Sequence, residues 1–327
     1  MSPSLGQSQL DLDGHGADLL DILDHLEAHD PAPGPTMNEA QASVDALVRD
    51  GFRYRTSSEF AELIAFIRRF RVYSPYNAML VHLQDPGANH VATPARWREL
   101  GRRLTPDARP LVILRPRGPV MIVFDARYTE PLSEASPPLP DGISSPMAIS
   151  TGLTDHEALL VWERVVDNAM RDGIRVTPAD TGKHLGGTAS SSRGVSLRRR
   201  PTKDGRPGDI HGLRYDVTVN RNDAPQDRLA SLLHELGHIY CGHLGTYNPK
   251  HWADRSFVGD TAGELEAETV AHIVLSRLDP HLEMGRYIES QLPRHDADVP
   301  PISLQTVLTV AGLCLQMADR RLPRRRD

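Results

Sequence analysis

Apolar positions along the chain fall into separate runs whose period changes from one run to the next. From Asn38 the spacing is helical, with Val44, Leu47 and Val48 on one face and Gly51 as a stop. Thr56 and Glu59 have capping-box spacing ahead of Phe60, Leu63, Ile64 and Ile67. Pro75 opens a short helix with Met79, Leu80 and Leu83 inside, and residues 94–100 add another turn or two. Strands are predicted over 111–114 and 120–124, then a helix over 155–171 and a short β run at 174–176. Residues 213–219 alternate like a strand, and helices are predicted over about 227–244, 262–277, 281–291 and 302–320. No fixed-period repeat is visible. The pattern predicts an α+β protein, a small N-terminal α+β domain followed by a second mixed domain.

Composition sets the boundaries. Residues 1–37, rich in Gly, Pro, Ser and Asp, are expected to be disordered and acidic; their short apolar stripe (Leu19, Ile22, Leu23, Leu26) is expected to be frayed, since an isolated helix below roughly 12–15 residues is marginal in water, with docking on a partner as the alternative. Residues 38–130 form the first domain, 131–150 a Pro/Ser-rich linker, and 151–327 the second domain. Within the latter, 180–208 reads as a Gly/Ser/Arg-rich loop carrying Arg198, Arg199 and Arg200. A chain of 327 residues, 39% hydrophobic, can bury two modest cores. Its two cysteines, Cys241 and Cys314, form no CxxC pair, which argues against a disulfide scaffold or a cysteine zinc knuckle. No basic-then-apolar leader pattern opens the sequence, and no run approaches the roughly 20 apolar residues of a membrane span. The expected setting is cytoplasmic and reducing, without a membrane partner.

The net charge of −6 is unevenly spread. The first domain is locally basic, and its arginines alternate with Tyr73, Tyr76 and Trp97. Arg96, Arg98, Arg102 and Arg103 are the candidates for tracking phosphates, with Trp97 stacking on unpaired bases of single-stranded DNA. The plainer alternative is a solvated arginine-rich surface over core aromatics.

The densest chemistry lies in Ser231-Leu232-Leu233-His234-Glu235-Leu236-Gly237-His238-Ile239-Tyr240. Residues four apart on a helix lie about 40° apart in projection, so His234 and His238 can reach one metal ion. Glu235 between them can take a proton from a water that the metal activates. Leu232, Leu233, Leu236 and Ile239 would bury the remainder of the helix. A third ligand is sought among the glutamates of Gly263-Glu264-Leu265-Glu266-Ala267-Glu268, the first of them 26 residues after His238. Glu264 and Glu268 share a face, so either can be the ligand and the other an outer carboxylate that orients a histidine. Glu266, about 200° round from Glu264, is expected to behave as a surface residue. The strand at 213–219, just before the metal helix, is placed to bind an extended peptide along its edge.

These residues resemble the zincin-like metallopeptidases of the ImmA/IrrE and ArdC group. Tyr215 to Asn220 matches the strand they place before the metal helix, and Gly285-Arg286-Tyr287-Ile288-Glu289 with a long last helix is similar to the ArdC branch. In that branch the peptidase follows a domain that binds single-stranded DNA. The order of Tyr76 to Leu80, Thr93 to Gly101 and Arg109 to Leu114 is similar to it, although Thr105-Pro106-Asp107-Ala108 replaces the usual lysine-glycine turn. The resemblance implies a gluzincin layout, with Glu264 as third Zn²⁺ ligand and Glu268 outside it. The expected activity is a zinc-dependent endopeptidase acting on a protein substrate. The alternatives are a single-stranded-DNA-binding protein with a structural metal, or a regulator that docks through residues 1–37 without cleavage. Tyr240, Tyr247 and His272 are the candidates for stabilising an oxyanion.

Overall fold

A computed structural model describes residues 56–115, 118–139, 152–180, 186–192, 196–198, 210–279, 281, 298–323 and 325. The expected disorder of 1–37, the helix begun at Asn38, most of the linker and of the 180–208 loop, and nearly all of the 281–291 helix lie outside them. The chain divides into two compact units, whose described parts are residues 91–138 and residues 56–90 with those from 139 onward.

The first unit holds β1 (Val91–Ala92), α3 (Pro94–Glu99), β2 (Arg102–Leu104), β3 (Leu111–Arg115), β4 (Gly118–Asp125) and β5 (Thr129–Pro131). Antiparallel β1, β4 and β3 form a sheet in that order, and β2 pairs with β5. Its core is Val91, Trp97, Leu111, Ile113, Val120, Val123 and Phe124. Trp97 is fully buried and donates its ring N–H to the carbonyl of Phe124 at 2.9 Å.

The second unit begins with α1 (Ser57–Arg69) and α2 (Pro75–Gln84). Helix α1 starts at the predicted capping box: Glu59 N–H donates to Thr56 Oγ1 (3.4 Å) and Thr56 N–H to Glu59 Oε2 (3.2 Å). Then come α4 (Asp155–Arg171), β6 (Ile174–Ala179), β7 (Gly187–Ser191), β8 (Ser196–Arg198), β9 (Ile210–Gly212), β10 (Tyr215–Asn220), α5 (Pro225–Tyr240), α6 (Asp260–Leu278) and α7 (Leu304–Asp319). The central sheet has the order β6-β10-β7, with β6 parallel and β7 antiparallel to β10. Helix α5 packs on β10 and β7, α4 lies beside α5, and α6 is flanked by α5, α7 and α1.

Two sequence expectations change here. Residues 57–84, assigned to the 38–130 domain, pack instead in the unit that contains α6. The cause is visible at Arg277, which is buried on α6. Its guanidinium donates to the carbonyls of Ile67 (3.0 Å) in the last turn of α1, Phe70 (2.8 Å) at its end and Tyr73 (2.7 Å) in the segment that follows. Arg71 returns a bond to the carbonyl of Arg277. The second change concerns the strand before the metal helix: β10 is central and paired on both sides, so it has no edge to offer a peptide. Among the described residues of this sheet, the strands with a side left open are β6 and β7.

Candidate metal centre

The chain leaves β10 through a turn fastened by Asn220, whose side chain donates to Asp223 (2.9 Å) and accepts from the N–H of Asn222 (3.2 Å). Pro225 then opens α5 at a position where its missing N–H costs nothing. Leu229, Leu232, Leu233, Leu236 and Ile239 are buried, which fixes the rotation of the helix and turns His234 and His238 to one side. The helix stops at Tyr240, four residues earlier than expected, because Gly242 takes a positive φ of 82°. A Cβ there would lie 2.1 Å from the Ala253 carbonyl, so the reversal requires glycine.

Helix α6 crosses α5 at unusually short range. A Cβ added to Gly237 would sit 2.9 Å from Ala267 Cα and 3.1 Å from its carbonyl oxygen. This close approach brings Glu264 to the two histidines. His234 Nε2 and His238 Nε2 are 3.2 Å apart; Glu264 Oε2 lies 3.4 Å from the first and Glu264 Oε1 3.4 Å from the second. Donors held about 2.0–2.1 Å from one tetrahedral zinc ion lie about 3.3 Å from each other. The three residues therefore fit a zinc ion that would sit among them. The Glu264 side chain is 48% exposed, so one side of the cluster faces solvent, as a site with an open coordination position requires.

The outer contacts divide the glutamates. Glu268 Oε2 lies 3.1 Å from His234 Nδ1, where it can accept the ring proton and leave Nε2 free to bind a cation. Glu266 points away from the cluster, as its angular position requires, yet it is fully buried rather than a surface residue. Its carboxylate accepts a two-pronged bond from Arg255 (2.5 and 2.7 Å), the Ser303 N–H (2.7 Å) and a contact with His243 Nε2 (2.9 Å). Burial opposes that charge, but these donors win and hold the Glu266 carboxyl down at about 2.

Electrostatics suit a cation between two imidazoles. Burial drives the pKa of His238 down to about 3, helped by His234 and His243, so its ring is neutral and keeps a lone pair to donate. At His234 burial also works against charge, but Glu268, Glu235 and Glu264 outweigh it and leave the pKa raised. Glu235 is 7% exposed, and burial lifts its carboxyl to about 7, with His234 opposing and Glu264 reinforcing. A carboxylate tuned near neutrality can both accept and return a proton. The backbone of β7 lies against it: a Cβ at Gly187 would be 3.1 Å from Glu235 Cγ and Oε1.

Of the oxyanion candidates, Tyr240 is buried and donates its hydroxyl to Asp172 (2.9 Å), while Tyr247 Oη is 2.8 Å from His251 Nδ1. His272 is fully buried on α6. In the first unit, Arg102 is spent on Thr129 (Nε to Oγ1 and Nη2 to the carbonyl, both 2.6 Å), and Arg96 and Arg103 pair with Glu99 (2.7 Å) and Glu130 (2.8 Å). Arg98 is exposed, and Trp97, being core, has no face to offer a base.

Sequence reasoning missed His243. It lies five residues after His238, beyond the end of α5, and only the turn at Gly242 carries it back beside His238. No described helix is long and apolar enough to cross a membrane. Comparisons with curated proteins and with solved structures found no match. Residues 171–298, which contain α5 and α6 with His234, His238 and Glu264, match the protein-family model Peptidase_M78, the IrrE N-terminal-like domain.

Proposed function

We propose that the protein is a zinc-dependent endopeptidase of the gluzincin type. The observation that carries this reading is the triangle of His234 Nε2, His238 Nε2 and a Glu264 oxygen, with edges of 3.2–3.4 Å, beside a buried Glu235. When bound, zinc supplies Lewis acidity, lowering the pKa of a water to about 7 and polarising the scissile carbonyl. His234, His238 and Glu264 hold the ion, and Glu268 orients His234. Glu235 takes one proton from the attacking water as the new C–O bond forms. It then delivers that proton to the leaving nitrogen as the C–N bond breaks, and the water's second proton follows to the amine, giving a carboxylate and an ammonium group. A protein substrate in extended form is best accommodated along the open side of β7, whose Gly187 adjoins Glu235.

Glu235→Gln tests the mechanism, because it removes the base and no ligand. Zinc content and folding should be retained while cleavage, found by comparing proteomes exposed to the two proteins, falls by about 10²–10⁴-fold. Cleavage at the wild-type rate would end this reading. For residues 91–138 we propose contact with the phosphates of single-stranded DNA through Arg98, Arg96 and Arg103, supported by their exposure on α3 and β2. Stacking by Trp97 is not part of it. The measured logarithm of affinity should then fall with the logarithm of salt by about 0.7 for each phosphate neutralised. Ser at all three positions should flatten that slope, and binding indifferent to salt would exclude the contact.

A further inference from the structure

The two candidate zinc histidines are supported differently. His234 has a carboxylate directly on its Nδ1, from Glu268. On His238 the corresponding atom meets another imidazole: His238 Nδ1 and His243 Nδ1 are 3.0 Å apart. The far nitrogen of His243 meets Glu266, which is locked by Arg255 and the Ser303 N–H. The His243 side chain is 7% exposed and that of Glu266 is fully buried, so neither can readily substitute water for these contacts.

Proton accounting permits one arrangement of this chain when His238 binds a cation. Nε2 of His238 must present a lone pair, so its proton sits on Nδ1. His243 Nδ1 must then accept, which places the His243 proton on Nε2, facing Glu266 Oε2. Glu266 accepts because it is ionised, and Arg255 balances its charge. We propose that His243 is a positioning residue that fixes the tautomer and ring orientation of His238, with Glu266 and Arg255 as its anchor. The inference rests on the zinc reading of His234, His238 and Glu264. Cys241, His243 and Glu266 also lie close enough together to suggest a second metal cluster. The donor chemistry argues against it: both His243 nitrogens and both Glu266 oxygens are already engaged, and Arg255 occupies the place where a cation would balance charge.

The test measures zinc affinity of the full chain by competition with a chromophoric chelator, with folding followed by circular dichroism. His243→Phe removes the acceptor and should weaken zinc binding roughly 10–100-fold, the usual effect of losing an outer partner of a metal-bound histidine. His243→Asn places an amide oxygen where Nδ1 stood and should restore most of that loss. A purely packing role would not discriminate in this way, because Phe fills the space better than Asn. Nitrogen-15 imidazole spectra of the zinc-loaded wild type should show His238 protonated at Nδ1 and neutral His243 protonated at Nε2. Wild-type affinity in folded His243→Phe, or His243 protonated on both nitrogens in the loaded protein, would overturn the proposal. If wild-type protein itself takes up no zinc, and His234→Ala behaves identically, the metal reading fails instead. Should His243→Phe not fold, the His243→Asn affinity and the wild-type spectra still decide.

Discussion

Replacing Gly237 by Ala sets two effects of known size against each other. In an exposed helix interior the change would stabilise by about 1 kcal/mol, because alanine loses less backbone entropy. Here the new methyl would lie 2.9 Å from Ala267 Cα, 3.1 Å from its oxygen and 3.2 Å from its Cβ. Carbon atoms pack comfortably at about 3.5–4.0 Å, so α5 and α6 must separate by roughly 0.6 Å or more. Overpacking of this kind costs about 1–3 kcal/mol, which outweighs the helix gain over most of its range and leaves a net loss of up to about 2 kcal/mol. The same separation would move Glu264 from 3.4 Å to about 4 Å from the histidine nitrogens, beyond what one tetrahedral ion spans. Gly237→Ala should therefore show lower stability to urea in the presence of a chelator, and zinc affinity weakened by about ten-fold or more. The double variant Gly237→Ala/Ala267→Gly should recover only part of either loss, because the closest obstacles are backbone atoms that glycine retains. A Gly237→Ala protein about 1 kcal/mol more stable than wild type, with unchanged zinc affinity, would refute the close crossing.

Two further outcomes follow from the carboxylates of α6. The Glu266 carboxyl is held near 2 against an ordinary value of 4.5, so its contribution is fully present above about pH 4.5 and is lost as pH falls through 2. Two to three pKa units correspond to about 3 kcal/mol. Urea unfolding of metal-free protein should lose stability over that window, and Glu266→Gln should show a shallower loss. Equal slopes would mean that the charge is not held as described. Glu264→Ala should strip zinc nearly as badly as His238→Ala, whereas Glu268→Ala should weaken binding by roughly 10–100-fold. Zinc stoichiometry that survives Glu264→Ala but not Glu268→Ala would exchange their roles.

The elements easiest to read in the sequence were those whose burial is one-sided or complete over several turns. Helices α1 and α4 follow apolar spacing behind capping boxes that act locally, α5 follows apolar spacing behind a proline at its first turn, and α6 is buried on nearly every face. His234, Glu235 and His238 were legible because a helix converts a spacing of four into a shared face. Strand β7 was not: Gly187-Thr188-Ala189-Ser190-Ser191 lacks apolar alternation and lies at the edge of its sheet, with little of it buried. Trp97 was misread because an arginine on either side says nothing about which way the indole points. Glu266 was misread for a related reason. Its position on the helix excluded it from the metal but could not reveal that Arg255 and Ser303 close over it from other parts of the chain.

Helix α6 is buried on nearly every side, and its partners come from three separated stretches: α5 before it, α7 after it, and α1 far upstream. The matched stretch, residues 171–298, includes only one of those three. A fragment cut to that stretch would keep every candidate zinc ligand and still leave Arg277 without the carbonyls of Ile67, Phe70 and Tyr73. It would also leave Glu266 without the Ser303 N–H. The smallest piece worth expressing for metal studies thus starts before Thr56 and runs through Asp319, even though all its chemistry falls within a third of that length.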